Sequence, residues 1–145
     1  MPERPARLSR VALRHFRQIA TRWIDNDVYG HVNNVIYYSY FDTVVNGHLI
    51  EAGLLDIAKS PAIGLVVETG CTYFESVAFP DALEAGLAVE TLGRSSVRYR
   101  IAVFKAGADL AAAQGHFVHV YVERGTQRPV PIPDAHRRAF EALQL

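Results

Sequence analysis

The chain of 145 residues is poor in cysteine, carries no net charge and has no long apolar run. Its one cysteine, Cys71, excludes an internal disulfide and fits a reducing compartment. It lies in an apolar stretch and reads as a small buried side chain, not a nucleophile. Fifteen basic residues balance fifteen acidic ones, which argues against a general binder of nucleic acid. No run reaches the length needed to span a bilayer, and the N-terminus lacks the apolar core of a signal peptide. The expectation is a soluble cytoplasmic protein. There is no phosphate loop, no Cys-x-x-Cys and no Gly-x-Ser-x-Gly. His116 and His119, three apart in a strand, point to opposite faces and make a poor metal pair, so no metal is expected.

Half of the residues are hydrophobic, enough for a real core in one domain. Residues 1–10 are expected to form a flexible arm, and residues 11–145 the single domain. The opening stretch "PERPARLSRVALRHFRQ" holds five arginines and one glutamate and reads as a solvated lead into a strand.

"FRQIATRW" has the composition of that strand. Residues 33–53 then run without proline, with Tyr37, Phe41, Val44 and Val45 at helical spacing and Tyr38 and Leu49 widening the stripe. Asn33 is placed to cap this helix and Gly53 to end it. So apolar a helix should be enclosed. Gly47 within it costs roughly 1 kcal/mol relative to alanine, which a close backbone approach would explain. Four strand-like segments follow: "GLVVETGCTYF", "LEAGLAVETL", "SSVRYRIAVF" and "AAAQGHFVHVYVE". Turns are expected at Gly93-Arg94 and at residues 106–109. A proline-rich connector leads to a short helix that Asp134 can cap. One long helix before an antiparallel meander is an α+β arrangement, with the sheet wrapped around one central helix.

Between the first strand and the helix stands "DNDVYGHVNN", residues 25–34. Small polar groups here can simply cap a helix. They can also build a reactive corner. The first helical amides lack internal partners and carry the positive end of the dipole, so they polarise a carbonyl aimed at them. A carboxylate beside them can deprotonate water or attack the carbonyl itself. Gly30 permits a tight turn.

"WIDNDVYGHVNNVIYYSYF" resembles the signature of the hot-dog-fold acyl-CoA thioesterases of the 4-hydroxybenzoyl-CoA thioesterase type. That signature is an aspartate, a short gap, Gly-His-Val-Asn-Asn and a tyrosine-rich helix. The likeness continues through "ESVAFPDALEAGLAVETLGRSSVRY" and spans about residues 16–123. It implies a hot-dog fold, a homodimer or homotetramer, and sites shared between subunits. It also implies hydrolysis of acyl-CoA to a free acid and coenzyme A, with no cofactor beyond the coenzyme that is part of the substrate. Asp27 matches the catalytic aspartate and Asp25 the first acid of the pair, read as structural. Gly30, His31, Val32, Asn33 and Asn34 match the element leading into the helix. His31 is read as orienting or capping ahead of acting directly. Tyr37, Tyr38 and Tyr40 are read as core before acyl-pocket lining. Asp42 and Glu68 are competing carboxylates, read as exposed or ion-paired. Arg94 is the candidate for the coenzyme A phosphates, with Arg98 and Arg100 behind it. Two other functions stay open: a hot-dog hydratase or dehydratase working through His31 and an acid, and a non-catalytic acyl-thioester-binding module.

Overall fold

The structure is a computed structural model, and it describes residues 4–145. A first strand β1 (His15–Ala20) leads through a 3-10 turn (Trp23–Asp25) and an irregular loop into the long helix α1 (Ile36–Glu51). Four longer strands follow, β2 (Ala62–Tyr73), β3 (Ala82–Leu92), β4 (Ser96–Lys105) and β5 (Ala113–Glu123), then the short helix α2 (Asp134–Ala142). The strands form one antiparallel sheet in the order β1-β3-β4-β5-β2.

The period-2 reading of β4 matches its burial. Val97, Tyr99, Ile101 and Val103 are buried under the helix, while Arg98 and Arg100 lie on the outer face, where both pair with Glu90. Tyr37, Tyr40, Phe41, Val44, Val45 and Leu49 are the buried face of α1. The sheet wraps around this helix as a hot-dog fold. It does not enclose it fully. Ser39, Asp42, Thr43 and Ile50 are exposed, so a stripe at helical spacing stays open because five strands curl around only part of the helix.

Three local expectations change. Asn33 is not the formal cap: α1 starts after Val35, and the Asn33 side chain accepts the Val35 N–H in the preceding turn at 3.2 Å. Asp134 is the first residue of α2 and makes no side-chain cap bond; Pro133 precedes it. Gly47 meets a side chain, not a backbone: a Cβ there would lie 2.7 Å from the Arg17 guanidinium, which reaches on to pair with Glu51. Gly53 does follow α1, with φ +74°.

Of the arm expected at residues 1–10, the first three residues lie outside the described ones. From Arg4 onward the segment is tied to the sheet. Gln114 clamps it, accepting the Leu8 N–H at 2.7 Å and donating to the Ala6 carbonyl at 2.9 Å. Arg7 donates to the Ala111 carbonyl, and Arg10 pairs with Glu84 at 2.8 Å. These arginines were expected in solvent; backbone carbonyls and acids on the domain hold them instead.

Candidate functional site

The loop before α1 is shaped by its own side chains. Asp25 is fully buried. It accepts the Arg22 N–H and the Tyr40 hydroxyl on one oxygen, at 3.0 and 2.7 Å, and the Arg22 guanidinium on the other. Burial pushes this carboxyl up, but the Tyr40 hydroxyl and the Arg22 donors outweigh it and hold it below its ordinary value. The Asp25 carbonyl in turn accepts the Asn33 N–H at 2.8 Å. Asp25 thus pins both ends of the loop.

Between those pins the chain makes a small hairpin. The Asp27 N–H donates to the His31 carbonyl at 2.8 Å, and the Gly30 N–H returns to the Asp27 carbonyl at 3.0 Å. Gly30 has φ +81°, the left-handed region that glycine adopts without strain. Asp27 Oδ1 accepts the Tyr29 N–H at 2.8 Å, which fixes the carboxylate. Oδ2 has no partner among the described residues.

Asp27 lines a cleft of about 340 Å³ shared with His31, Asn34, Tyr37, Tyr73 and Glu75. Val32, nearly buried, anchors its back by donating its N–H to Val77 at 2.8 Å. The Tyr73 hydroxyl donates to the Asn34 carbonyl at 2.8 Å, and its ring meets Tyr37 edge-on at 5.0 Å. Burial first, then nearby Cys71, pushes the Tyr37 hydroxyl up to about 12, so it stays a neutral donor. The start of α1 closes the cleft. The site therefore joins a carboxylate to the electropositive end of a helix, beside a wall of aromatic rings.

The loop brings Asp27, His31, Val32, Asn34 and Tyr37 together. Gly30 shapes the hairpin from outside the cleft, and Asn33 lies behind it. Arg94 lies elsewhere. Its turn adjoins Tyr121, whereas Tyr73 pairs with Ala113 at the other end of β5. Ala113 and Val120 are roughly 23 Å apart along that strand. Tyr73, Phe74, Glu75 and Ser76 were not singled out as site residues. The run after β2 was legible only as a family-like string, because the fold alone carries it to a loop some forty residues earlier.

The competing groups are accounted for. Glu68 is exposed and pairs with His116 at 3.0 Å. Asp42 is exposed on α1, with Asn46 Nδ2 at 3.3 Å. Burial pushes the Cys71 thiol up to about 11, which leaves it a poor nucleophile. No cluster of three or more metal-ligating side chains occurs among the described residues. No helix among them is long and apolar enough to cross a membrane.

The family model described as the thioesterase-like superfamily matches residues 21–140. The chain belongs to this superfamily. It is 55% identical to the PA5185 protein of Pseudomonas aeruginosa strain PAO1, covering 96% of this chain and 97% of that one with a TM-score of 0.94. The PA2801 protein of Pseudomonas aeruginosa is 28% identical over 88% and 98%, at a TM-score of 0.79. The BH1999 gentisyl-coenzyme A thioesterase is 23% identical over 87% and 99%, at 0.77, and supports the fold alone. No curated protein matches.

Proposed function

We propose that the protein is an acyl-CoA thioesterase that hydrolyses the thioester to a free carboxylic acid and coenzyme A. The observation that carries this reading is the Asp27 carboxylate, fixed through one oxygen at a cleft beside the N-terminus of α1. The thioester carbonyl would point at the start of α1. There the Val35, Ile36 and Tyr38 N–H groups already donate to Asn33 and Val35, which leaves the Tyr37 N–H and the helix dipole to stabilise the developing oxyanion. Asp27 would deprotonate the attacking water or attack the carbonyl itself. The carbon–sulfur bond breaks and coenzyme A leaves as the thiolate, which takes up the proton that Asp27 removed from water or one from solvent. Where Asp27 itself attacks, water then hydrolyses the acyl-aspartyl anhydride to the free acid. No cofactor is needed for these steps, and an acyl-CoA substrate fits a cytoplasmic enzyme.

The site is proposed to be shared in a homodimer. β2 is a twelve-residue edge strand, and Val66, Val67, Glu68 and Thr69 at its middle are all exposed. Edges of this length and composition are covered in stable proteins. Two β2 strands paired antiparallel about Val67–Glu68 would set the Ala62 end of one beside the Tyr73 end of the other. They would also bring the open stripe of α1 toward its copy. That arrangement carries Arg94 of one chain toward the Asp27 cleft of the next, where it could meet the coenzyme A phosphates.

Thiol release from a panel of aliphatic and aromatic acyl-CoA esters tests the activity. Free thiol appearing with the acid is the expected result. Enoyl absorbance without thiol would mean a hydratase or dehydratase, and binding without turnover would mean a non-catalytic module. Light scattering should give at least twice the 16.1 kDa chain mass; a monomer at micromolar concentration overturns the shared site.

A further inference from the structure

A second cavity is larger than the Asp27 cleft. It measures about 520 Å³ and lies between the C-terminal half of α1, the start of β2, the end of β5 and α2. Tyr37 of the Asp27 cleft and Asn46 of this cavity are nine residues apart on α1, roughly 14 Å. Leu49, Leu54, Leu55 and Ile63 make its walls apolar, and Ile50 and Ile57 stand exposed at its mouth. In the dimer proposed above, the Ala62 end of β2, and this cavity with it, would adjoin the Asp27 cleft of the second copy.

His119 breaks the apolar pattern. It is 2% exposed and lines the cavity from the inner face of β5. Its ring packs edge-on against Phe117 and Tyr99, with centroids at 5.0 and 5.8 Å. Its Nδ1 is sealed against Gly64 with no hydrogen-bond partner among the described residues; its Nε2, also without a partner among them but not sealed, is the ring nitrogen left to face the cavity. Buried polar groups are nearly always satisfied, so an imidazole with neither nitrogen bonded at a cavity wall asks for a reason. Gly64 supplies the room. A Cβ there would lie 2.6 Å from His119 Nδ1 and 2.9 Å from its Cγ, so only glycine lets the ring sit where it does.

Burial pushes the His119 imidazole down to about 4, so at neutral pH the ring is uncharged and its Nε2 is a donor or an acceptor according to the tautomer. It does not act as a cation for an anionic group. Arg124, also at the cavity, is committed to the Ser60 and Ile57 carbonyls at 2.7 and 2.9 Å. Asp42 and Asn46 of α1 also line the cavity, and the acid disfavours an anion there, so the wall suits an apolar body with a neutral hydrogen-bonding group.

We infer that His119, seated by Gly64, is a specificity-determining residue that favours acyl groups carrying a neutral hydrogen-bonding substituent, such as a hydroxyl, remote from the thioester. This rests on the thioesterase reading. A plain hydrocarbon acyl group would fill the walls but leave the imidazole unmet, and a site with buried polar groups discriminates against ligands that leave them unpaired.

The test compares octanoyl-CoA with 8-hydroxyoctanoyl-CoA, and benzoyl-CoA with 4-hydroxybenzoyl-CoA, in the wild type and His119→Phe, with acetyl-CoA as reference. Phe keeps the ring and removes both nitrogens. The expected result is a wild-type kcat/KM preference on the order of tenfold or more for the hydroxylated member of at least one pair. His119→Phe should abolish that preference while acetyl-CoA hydrolysis stays near wild type. Gly64→Ala, which displaces the ring, should weaken the preference in the same direction. A wild type that treats both members of each pair alike overturns the inference, as does a His119→Phe variant that slows both members equally. If the wild type hydrolyses none of these esters, the thioesterase reading fails separately. Calorimetry of octanoic and 8-hydroxyoctanoic acids then decides: tighter wild-type binding of the hydroxy acid, lost in His119→Phe, supports the His119 assignment, and equal binding ends it.

Discussion

Asp25 and Asp27 stand two residues apart in one loop, with the same side chain and opposite environments. Asp25 is sealed and receives the Arg22 N–H, the Arg22 guanidinium and the Tyr40 hydroxyl. Asp27 sits at a cleft and receives one local N–H, from Tyr29. A carboxylate with every acceptor site engaged holds structure together and has no lone pair left for a substrate. One with an oxygen unmet at a cleft is available for chemistry. The difference comes from Arg22, three residues before Asp25, together with Tyr40, a full helical turn into α1.

The largest effect that would sharpen this contrast is on turnover. Asp27→Asn keeps the size of the side chain and the Tyr29 bond, so the melting temperature should hold. If the carboxylate does the chemistry, kcat should fall on the order of 10²- to 10⁴-fold in a thiol-release assay. Asp25→Asn should show the opposite emphasis. It exchanges a buried, charge-assisted network for a neutral one, a loss of about 2–3 kcal/mol read by denaturant melts, with a smaller loss in kcat.

Acid should expose the same difference. A carboxyl held below its ordinary value in the folded state stabilises the fold above its unfolded pKa, and that contribution is lost as pH falls through the folded value. Wild-type stability should therefore drop on acidification below about pH 4, and Asp25→Asn should drop less steeply. Tyr40→Phe removes one donor from the buried carboxylate and should lose about 1–2 kcal/mol, with Asp27 chemistry kept. Near-wild-type stability in Tyr40→Phe would mean that the anchor is not Asp25. The smallest effect belongs to Arg94→Ala. KM for acyl-CoA should rise a few-fold while kcat holds, and a short thioester lacking the nucleotide should not respond. Equal losses on both substrates would place Arg94 outside coenzyme recognition.

The contrast was only half legible in the sequence. Helix α1 and the strands could be read because each repeats a period across many residues; the alternation of Val97, Tyr99, Ile101 and Val103 is an example. The string at residues 25–34 marked the loop and its two acids. The pairing of Asp25 with Tyr40 could not be read, since Tyr40 carries the same apolar signal as any buried aromatic. Nor could the wall from Tyr73 to Ser76, which is local to Asp27 only in space. The tethered arm had no period at all: its order comes from Gln114, more than a hundred residues away. His119 looked like half of a rejected metal pair, and its distinguishing feature, a bare Gly64 beneath the ring, exists only once β2 lies beside β5.

The most direct test of the account removes the Asp27 carboxylate and returns one from solution. Asp27→Ala and Asp25→Ala are assayed for thiol release from one acyl-CoA ester across a series of sodium formate concentrations. The account predicts that Asp27→Ala is nearly inactive and gains turnover as formate rises, while Asp25→Ala is less stable and indifferent to formate. Near-wild-type turnover in Asp27→Ala without formate, or a formate response confined to Asp25→Ala, would contradict it.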